Sequence, residues 1–299
     1  MIRHHLSFSE FASKCNLRNT IDTMAGNQYP PLAGKEYSET YDTFNIKSRQ
    51  KDEYEKMLEP IVKAFGSKPV SFLSIGAGFG WMENELVTKY GLKMSFYYAI
   101  EPDAVHSNKL KDTVTSWGVE YKIDTNFFSK DMDISQTFDV IFIPQSLYCI
   151  KDPFQAVLHA KSFLNPGGRL INLHMSSKSG FYQIFSYFLE KAGKNFQPCY
   201  DQNNQLVSED VVQFLTKAGI DFQVKHDIMK ETLEIDDFVK QLSSKNVNNP
   251  ISFILQTRFE NLSPSLKNDI LQKAKDLCHK DVDGCYVLPI EQTMIEIRG

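Results

Sequence analysis

Cysteine is scarce in this chain and scattered: Cys15, Cys149, Cys199, Cys278 and Cys285 make five, with no CxxC pair. An odd set at irregular spacing excludes a disulfide framework and makes a reducing cytoplasm the simplest setting. Cys278, His279 and Cys285 are neighbours, but no second ligand pair stands at zinc spacing, so no metal is expected. Positive charge is not in excess either. Lys and Arg number 33 against 37 Asp and Glu, a formal net charge of −4, which leaves nothing over to neutralise a phosphate backbone; nucleic acid is not an expected partner. Apolar runs are short. Residues 140–143 suit one buried strand, far below the roughly 18 residues that span a bilayer, and no membrane association is expected. The first 26 residues are polar and lack the apolar core of a secretory signal, and residues 1–35 are expected to form a loose arm. What is present is ordinary globular material: 299 residues, 42% hydrophobic and 23% charged. That length suits one large domain or a domain with a substantial insertion.

Apolar periodicity organises the chain. Tyr54, Met57, Leu58, Ile61 and Phe65 recur at helical spacing over residues 53–65, ending at Gly66 and Pro69. The run VSFLSI follows at strand length, then a glycine turn and a helical stretch over 81–90. Residues 96–100 are a second strand, leading through Glu101 and Pro102 to a helix that ends near Trp117. Strands are expected at 119–123 and 138–143, a helix at 153–164, a Pro166-Gly167-Gly168 turn, and a fifth strand over 169–175. Ser208, with Glu209 and Asp210 behind it, reads as the N-cap of a helix to Ala218, which Gly219 ends. A sixth strand is expected from Ile220 to Val224. Strand and helix in alternation build right-handed crossovers, hence a doubly wound α/β domain with helices on both faces of a largely parallel sheet.

After residue 228 the alternation stops. Helical patterns recur at Ile235, Phe238, Val239 and Leu242, at Ile251, Ile254, Leu255 and Arg258, and at Leu266, Ile270, Leu271 and Ala274, before strand-like segments near 286–288 and 293–297. This predicts a helical insertion over 229–284, with residues 36–228 and 285–299 forming the main domain and the last strand antiparallel. An insertion at the carboxyl end of such a sheet caps the ligand crevice.

The segment Ile75-Gly76-Ala77-Gly78-Phe79-Gly80 lies directly between the first strand and a helix. Glycines let the backbone turn tightly and approach a ligand, and the helix N-terminus offers free N–H groups. The pattern is GxGxG with Trp81 where a dinucleotide fingerprint needs its third glycine, which disfavours NAD. Glu101, at the end of the second strand, stands where an acid can accept hydrogen bonds from both hydroxyls of a ribose.

Glycine motif, ribose acid, FDVIF strand and LNPGGRL turn occur in an order that resembles the class I S-adenosylmethionine-dependent methyltransferases, over residues 65–175. Within that superfamily the chain is similar to the histamine N-methyltransferase family, through FLSIGAGFG (Phe72 to Gly80), IEPDA (Ile100 to Ala104) and QSLYCIKD (Gln145 to Asp152), and more weakly through 176–180, Cys199, the insertion and the last strand. The resemblance implies a seven-stranded Rossmann-like sheet and S-adenosylmethionine as cofactor, with S-adenosylhomocysteine as product. It implies that Gly76, Ala77 and Gly78 hold the methionine part, that Glu101 and Pro102 take the ribose, and that His106 stands near that end. Thr125 and Asn126 with the following phenylalanine, and Pro144 with Gln145, would border the adenine and the sulfonium.

Tyr37, Tyr41 and Phe44 share one helical face. The family likeness makes that face a lid over cofactor, at Tyr37, and substrate, with Gln145, Tyr148, Cys149, Phe181, Phe185, Cys199 and Phe253 as the substrate wall. Aromatic walls suit an amine, since ring faces attract positive charge. Gln50 stands where the family grips the histamine ring with a glutamate, Cys149 where it has a tyrosine, Phe181 and Phe185 where it has tryptophans, and Glu291 near its C-terminal asparagine. A charge-assisted hydrogen bond contributes about 1.5–3 kcal/mol, so the Gln50 exchange implies histamine binding weaker by about tenfold or a preference for a related amine. The expected enzyme is therefore a monomeric cytoplasmic N-methyltransferase acting on a small-molecule amine or imidazole, with Gln145 orienting the acceptor and Tyr148 packing against it. An O- or C-methyltransferase for a small aromatic acceptor is the main alternative, and a catalytically silent cofactor-binding protein the next.

Overall fold

Strands built from unbroken apolar runs dominate the computed structural model, which describes residues 28–32, 34–48, 50–193, 196, 205–225, 231–234 and 250–299. In chain order the strands are β1 (Val70–Ile75), β2 (Met94–Ile100), β3 (Tyr121–Asp124), β4 (Phe138–Pro144), β5 (Leu164–Met175), β6 (Phe222–Lys225), β7 (Glu231–Glu234), β8 (His279–Lys280), β9 (Tyr286–Ile290) and β10 (Gln292–Arg298). The helices are α1 (Gly34–Lys47), α2 (Gln50–Phe65), α3 (Trp81–Thr88), α4 (Ala104–Thr115), α5 (Pro153–Ser162), α6 (Gly180–Ala192), α7 (Ser208–Lys217), α8 (Pro250–Leu255) and α9 (Pro264–Leu277). The chain divides into two compact units.

The larger unit holds Ser48–Gln183, Gln202–Leu233 and Leu288–Gly299, and in it a seven-stranded sheet runs in the order β3-β2-β1-β4-β5-β10-β6. β1 pairs in parallel with β2 and β4, and β4 with β5, while β10 lies antiparallel between β5 and β6. This is the doubly wound, mostly parallel sheet that the alternation predicts. Helices cover both faces, so strand residues are apolar in both directions. One face packs Phe72, Val140, Phe142 and Ile171 against Leu58, Ile61 and Val62 of α2, Leu86 of α3 and Leu110 of α4. The other packs Leu73, Ile141, Ile143 and Ile295 against Ala156 and Val157 of α5 and Val211 and Leu215 of α7.

Three local expectations are corrected. Pro166, Gly167 and Gly168 do not close a turn before the strand; they lie within β5, which already pairs at Phe138↔Leu164 and resumes at Val140↔Arg169. The extra residues bulge out opposite Asp139, where Gly167 takes φ 77° and the missing proline N–H costs no ladder bond. Ser208 is the first residue of α7 rather than its cap: Val207 N–H donates to the Asp210 carboxylate at 3.2 Å, and the Ser208 hydroxyl pairs instead with Thr293 Oγ1 at 2.9 Å. The segment expected to be a helical insertion contains the strands β7 and β8 besides α8 and α9, since runs of two to four residues are too short to show a period. The pattern Ile235 to Leu242 lies outside the described residues.

The smaller unit holds, among described residues, 28–47 without 33, then 184–193, 196, 234 and 250–287. It therefore takes in α1 and most of α6, which the alternation assigned to the main domain. Its contacts are local and aromatic: Tyr29 against Phe188 (6.1 Å between ring centres), Phe188 against Phe196 (5.0 Å), and the Leu32 N–H bonded to Gln256 O at 2.8 Å. The Thr257 hydroxyl donates to Pro30 O at 2.7 Å, and Arg258 pairs with Glu36. No described helix is long and apolar enough to cross a membrane.

The bulge gives a direct test. A Cβ on buried Gly168 would stand 2.9–3.1 Å from the carbonyl oxygens of Asn165, Phe138 and Asp139, backbone that cannot move aside. Gly168→Ala is expected to destabilise the protein by about 1–3 kcal/mol, seen as a thermal midpoint several degrees lower.

Candidate functional site

The turn after β1 is shaped by two close approaches. Gly76 takes φ 73° and donates its N–H to Ile100 O at 2.8 Å, which pins the turn to the end of β2. A side chain there would collide with Ser146, whose hydroxyl donates to Ile75 O at 2.5 Å from beyond the end of β4. Gly78, with φ 58°, has nothing within 4 Å of its Cβ direction. The first glycine is thus required by packing, and the second leaves the side facing outward open, as backbone recognition of a ligand needs.

Glu101 completes this arrangement. It is buried, and its two carboxylate oxygens accept from Gly78 N–H at 2.7 Å and from Asp103 N–H at 2.9 Å. Burial raises its carboxyl above the ordinary range, while those N–H bonds and the nearby His106 pull it back. Asp103 caps α4, accepting from Val105 and His106 N–H at 2.9 and 3.0 Å, and this cap sets the His106 ring 6.0 Å from that of Phe79 in the glycine turn. Gly76, Ala77, Gly78, Glu101, Pro102 and His106 therefore come together as one edge of the sheet.

The neighbouring strand ends supply the rest of that edge. After β3, Thr125 and Asn126 are exposed, and the Asn126 side chain is tied back to Asp124 Oδ1 at 2.7 Å. At the end of β4, Pro144 is buried, and Gln145 after it takes φ 53°, an uncommon conformation for a residue with a Cβ. The Gln145 N–H bonds to Leu173 O at 3.1 Å, and its Nε2 is buried with no hydrogen-bond partner among the described residues. Tyr148 and Cys149 sit on the short 3-10 turn that follows, Tyr148 with its ring 6.1 Å from buried His174 and Cys149 an exposed free thiol. Phe181 lies in the first turn of α6, in the larger unit.

At β10 the fold separates two adjacent candidates. Glu291 precedes the strand, and its carboxylate accepts from Ser176 Oγ at 2.9 Å. Gln292 opens the strand, is buried, and has Oε1 without a partner among the described residues, as has the hydroxyl of Ser179. Strand alternation turns Gln292 to the face of Met294, so it stands inside the edge while Glu291 is held by the loop. Sequence reading chose Glu291 over Gln292 and missed Ser179, Asp124 and Ser146, which no spacing singles out.

The aromatic stripe forms in the smaller unit. Phe253 of α8 meets Tyr37, Tyr41 and Phe44 of α1 at ring separations of 5.6, 5.3 and 4.9 Å, and Tyr37 stacks with Tyr41 at 6.4 Å. Phe185 is buried in the same unit. Gln50 is the first residue of α2, and Cys199 lies outside the described residues. No cluster of three or more metal-ligating side chains occurs among the described residues.

Behind the glycine turn lies a further acid. Glu83 of α3 is 1% exposed and accepts from Ser74 Oγ and, at 3.5 Å, from Tyr97 OH. Burial pushes its carboxyl from the ordinary 4.5 up to about 7, against the pull of its hydrogen bonds. Sequence period gives no hint of it, because an acid early in a helix reads as a dipole partner.

The sheet order, the glycine turn and the antiparallel β10 are those of the class I methyltransferase fold. The plantazolicin methyltransferase BpumL, solved with a triazolic desmethylPZN analog and S-adenosylhomocysteine, superposes with TM-score 0.50 at 13% identity over 97% of this chain and 98% of that one. In sequence the chain is similar to carnosine N-methyltransferase 2 of Gallus gallus, 22% identical over 64% of this chain, and to histamine N-methyltransferase of Danio rerio, 23% identical over 67%. The alignments span 65% and 64% of those two proteins, just under two thirds of their length. No protein-family model matches the chain.

Glu83 and His174 predict opposite pH effects on stability. A carboxyl whose folded value is raised to about 7 stabilises the fold fully below about 4.5 and loses that contribution as pH rises to 7. His174, held by burial near 4 instead of 6.5, does the reverse: it costs stability as pH falls from 6.5 toward 4. Between about 4.5 and 6.5 the two oppose each other. Glu83→Gln keeps an acceptor for Ser74 and removes the first effect, so its stability relative to the native chain should rise by on the order of 2 kcal/mol between pH 5 and pH 7.5, measured by denaturant titration.

Proposed function

We propose that this chain is an S-adenosylmethionine-dependent methyltransferase that methylates a nitrogen of a small amine or imidazole compound. The observation that carries the reading is the Gly78–Glu101 hydrogen bond, which sets an open glycine turn and a buried carboxylate side by side at the carboxyl edge of the sheet. The residues present fit that cofactor. Each Glu101 oxygen accepts one backbone N–H and retains capacity for the two ribose hydroxyls, while Gly78 admits close backbone approach and α3 presents its N-terminus. Thr125 and Asn126 follow β3, Pro144 ends β4 and His106 lies in the first turn of α4; the resemblance assigns these residues to the cofactor's border.

When bound, S-adenosylmethionine supplies an electrophilic methyl group on a sulfonium. The protein's own task is then to align a nitrogen lone pair and keep water out, and proximity provides most of the acceleration. Gln145 is placed to orient the acceptor through its unpartnered Nε2, and Tyr148 to pack against it. Gln292 offers an acceptor for an N–H on the substrate. The nucleophile has to be neutral: an imidazole is largely so near pH 7, whereas an alkylamine must first lose a proton. The similarity to carnosine and histamine N-methyltransferases supports nitrogen over oxygen as the methylated atom.

Calorimetry should detect S-adenosylhomocysteine binding and no NAD binding; binding of NAD alone would sink the reading. Glu101→Ala should weaken cofactor binding by more than about 1 kcal/mol, the scale of losing hydrogen bonds to a charged group. In a labelled-methyl assay with histamine, imidazole dipeptides, tryptamine-like amines and catechols, the nitrogen acceptors should score highest. Label on catechols alone would overturn the N-methyl assignment.

A further inference from the structure

The ring of Tyr148 leans on a buried imidazole, that of His174, with 6.1 Å between ring centres and 52° between planes, inside the range in which aromatic rings pair. Strand alternation sets Leu170, Asn172 and His174 on one face of β5, the face that packs Ile143, Leu147 and Ile295 against α5 and α7. Asn172 is 1% exposed and His174 0%, so two polar side chains stand in an otherwise apolar layer. They differ in how they are held. Both amide atoms of Asn172 lack a partner among the described residues, and its strand neighbours are Ile143 and Ile295. His174 is anchored: its Nε2 lies 3.0 Å from Leu206 O, in the segment that leads into α7. A carbonyl only accepts, so Nε2 carries the proton and donates, and Nδ1 is left as a buried acceptor without a partner among the described residues.

The Tyr148 backbone is fixed as firmly as its neighbour. Leu147, 0% exposed, roots the 3-10 turn in the core, and Cys149 N–H donates to Ser146 O at 2.9 Å. Gln145 N–H reaches Leu173 O at 3.1 Å, which lays the turn over the end of β5 that carries His174. An apolar residue at position 174 would fill this layer without leaving a buried acceptor unpaired, but it would have no bond to hold a ring plane. We propose that His174 is a positioning residue for the methyl acceptor: pinned by Leu206 O, its ring seats that of Tyr148 and so sets the surface against which the acceptor packs. The inference rests on the methyltransferase reading and on the place of Tyr148 in it. Fully buried, His174 acts through Tyr148.

The test is a double-mutant cycle on the full chain, with His174→Leu, Tyr148→Ala and the two combined, run with whichever acceptor of the labelled-methyl panel is used best. His174→Leu should raise the KM for that acceptor by at least about threefold, the scale of losing one aromatic pairing, while the dissociation constant for S-adenosylhomocysteine stays within about twofold of the native value. The combined variant should have the KM of Tyr148→Ala alone, because a residue that acts through Tyr148 then has nothing left to act on. Asn172→Leu changes a polar residue one step deeper on the same face and should leave the KM unchanged, which separates seating of Tyr148 from a general disturbance of the core. An unchanged KM in His174→Leu, single effects that multiply in the combined variant, or an equal rise in Asn172→Leu overturns the inference and leaves the methyltransferase reading standing. A native chain that transfers label to no acceptor removes that reading and the inference with it. Should His174→Leu fail to fold, His174→Gln, which keeps a donor for Leu206 O and loses the ring, carries the same cycle with the same expected result.

Discussion

The site depends on one interaction, the hydrogen bond from the Gly78 N–H to the Glu101 carboxylate. It joins two consecutive strand ends through a side chain that is itself buried, and it is possible only because Gly76 lets the turn lie flat against Ser146 and the end of β2. The parallel pairing of β1 with β2, in register from Ser71↔Phe96 to Ile75↔Ile100, brings residue 76 level with residue 101. Pairing in register is thus what turns a glycine motif and an acid 23 residues later into one edge.

Polar groups gather along that edge at a cost that the apolar core offsets. Gln145 adopts a left-handed backbone conformation, Glu83 and Glu101 are desolvated acids, and Gln145, Ser179 and Gln292 bury polar atoms without partners among the described residues. An unsatisfied buried group costs about 1–3 kcal/mol, so several together at one place are unfavourable unless a ligand completes them. The opposite edge of the sheet shows the contrast. There the Asp139 carboxylate accepts from Ser71 N–H, Ser71 Oγ and Asn165 Nδ2, at 2.9, 3.1 and 3.1 Å, and is held below its ordinary range by those bonds. One edge is satisfied within the protein; the other is not.

Much of the fold could be read from residue order. Runs such as VSFLSI and FDVIF announce buried parallel strands, and their alternation with amphipathic helices leaves few topologies open. The failures are local and physical. The PGG segment reads as a turn because proline and glycine punctuate turns, yet a long strand pairing on either side of it absorbs the same residues as a bulge. Ser208 reads as a cap because nothing in the chain reveals that Thr293 waits for its hydroxyl. Of the site, the glycine turn and Glu101 were legible since each follows a strand; Glu83 and Ser146 were not, because each is held by a residue 9 or 71 positions away, and Ser179 and Gln292 were not, because their burial is set by the packing of distant segments.

What the sequence determined unaided is the doubly wound sheet, its glycine turn and the acid that ends its second strand, for these follow from local periodicity and from the conformations that glycine alone adopts freely. Only the tertiary structure decided which of Glu291 and Gln292 faces inward, that Gln145 carries an unpartnered amide, and that a second acid is buried behind the turn. Burial and hydrogen-bond partnership are properties of space shared by distant segments, and no spacing along the chain encodes them.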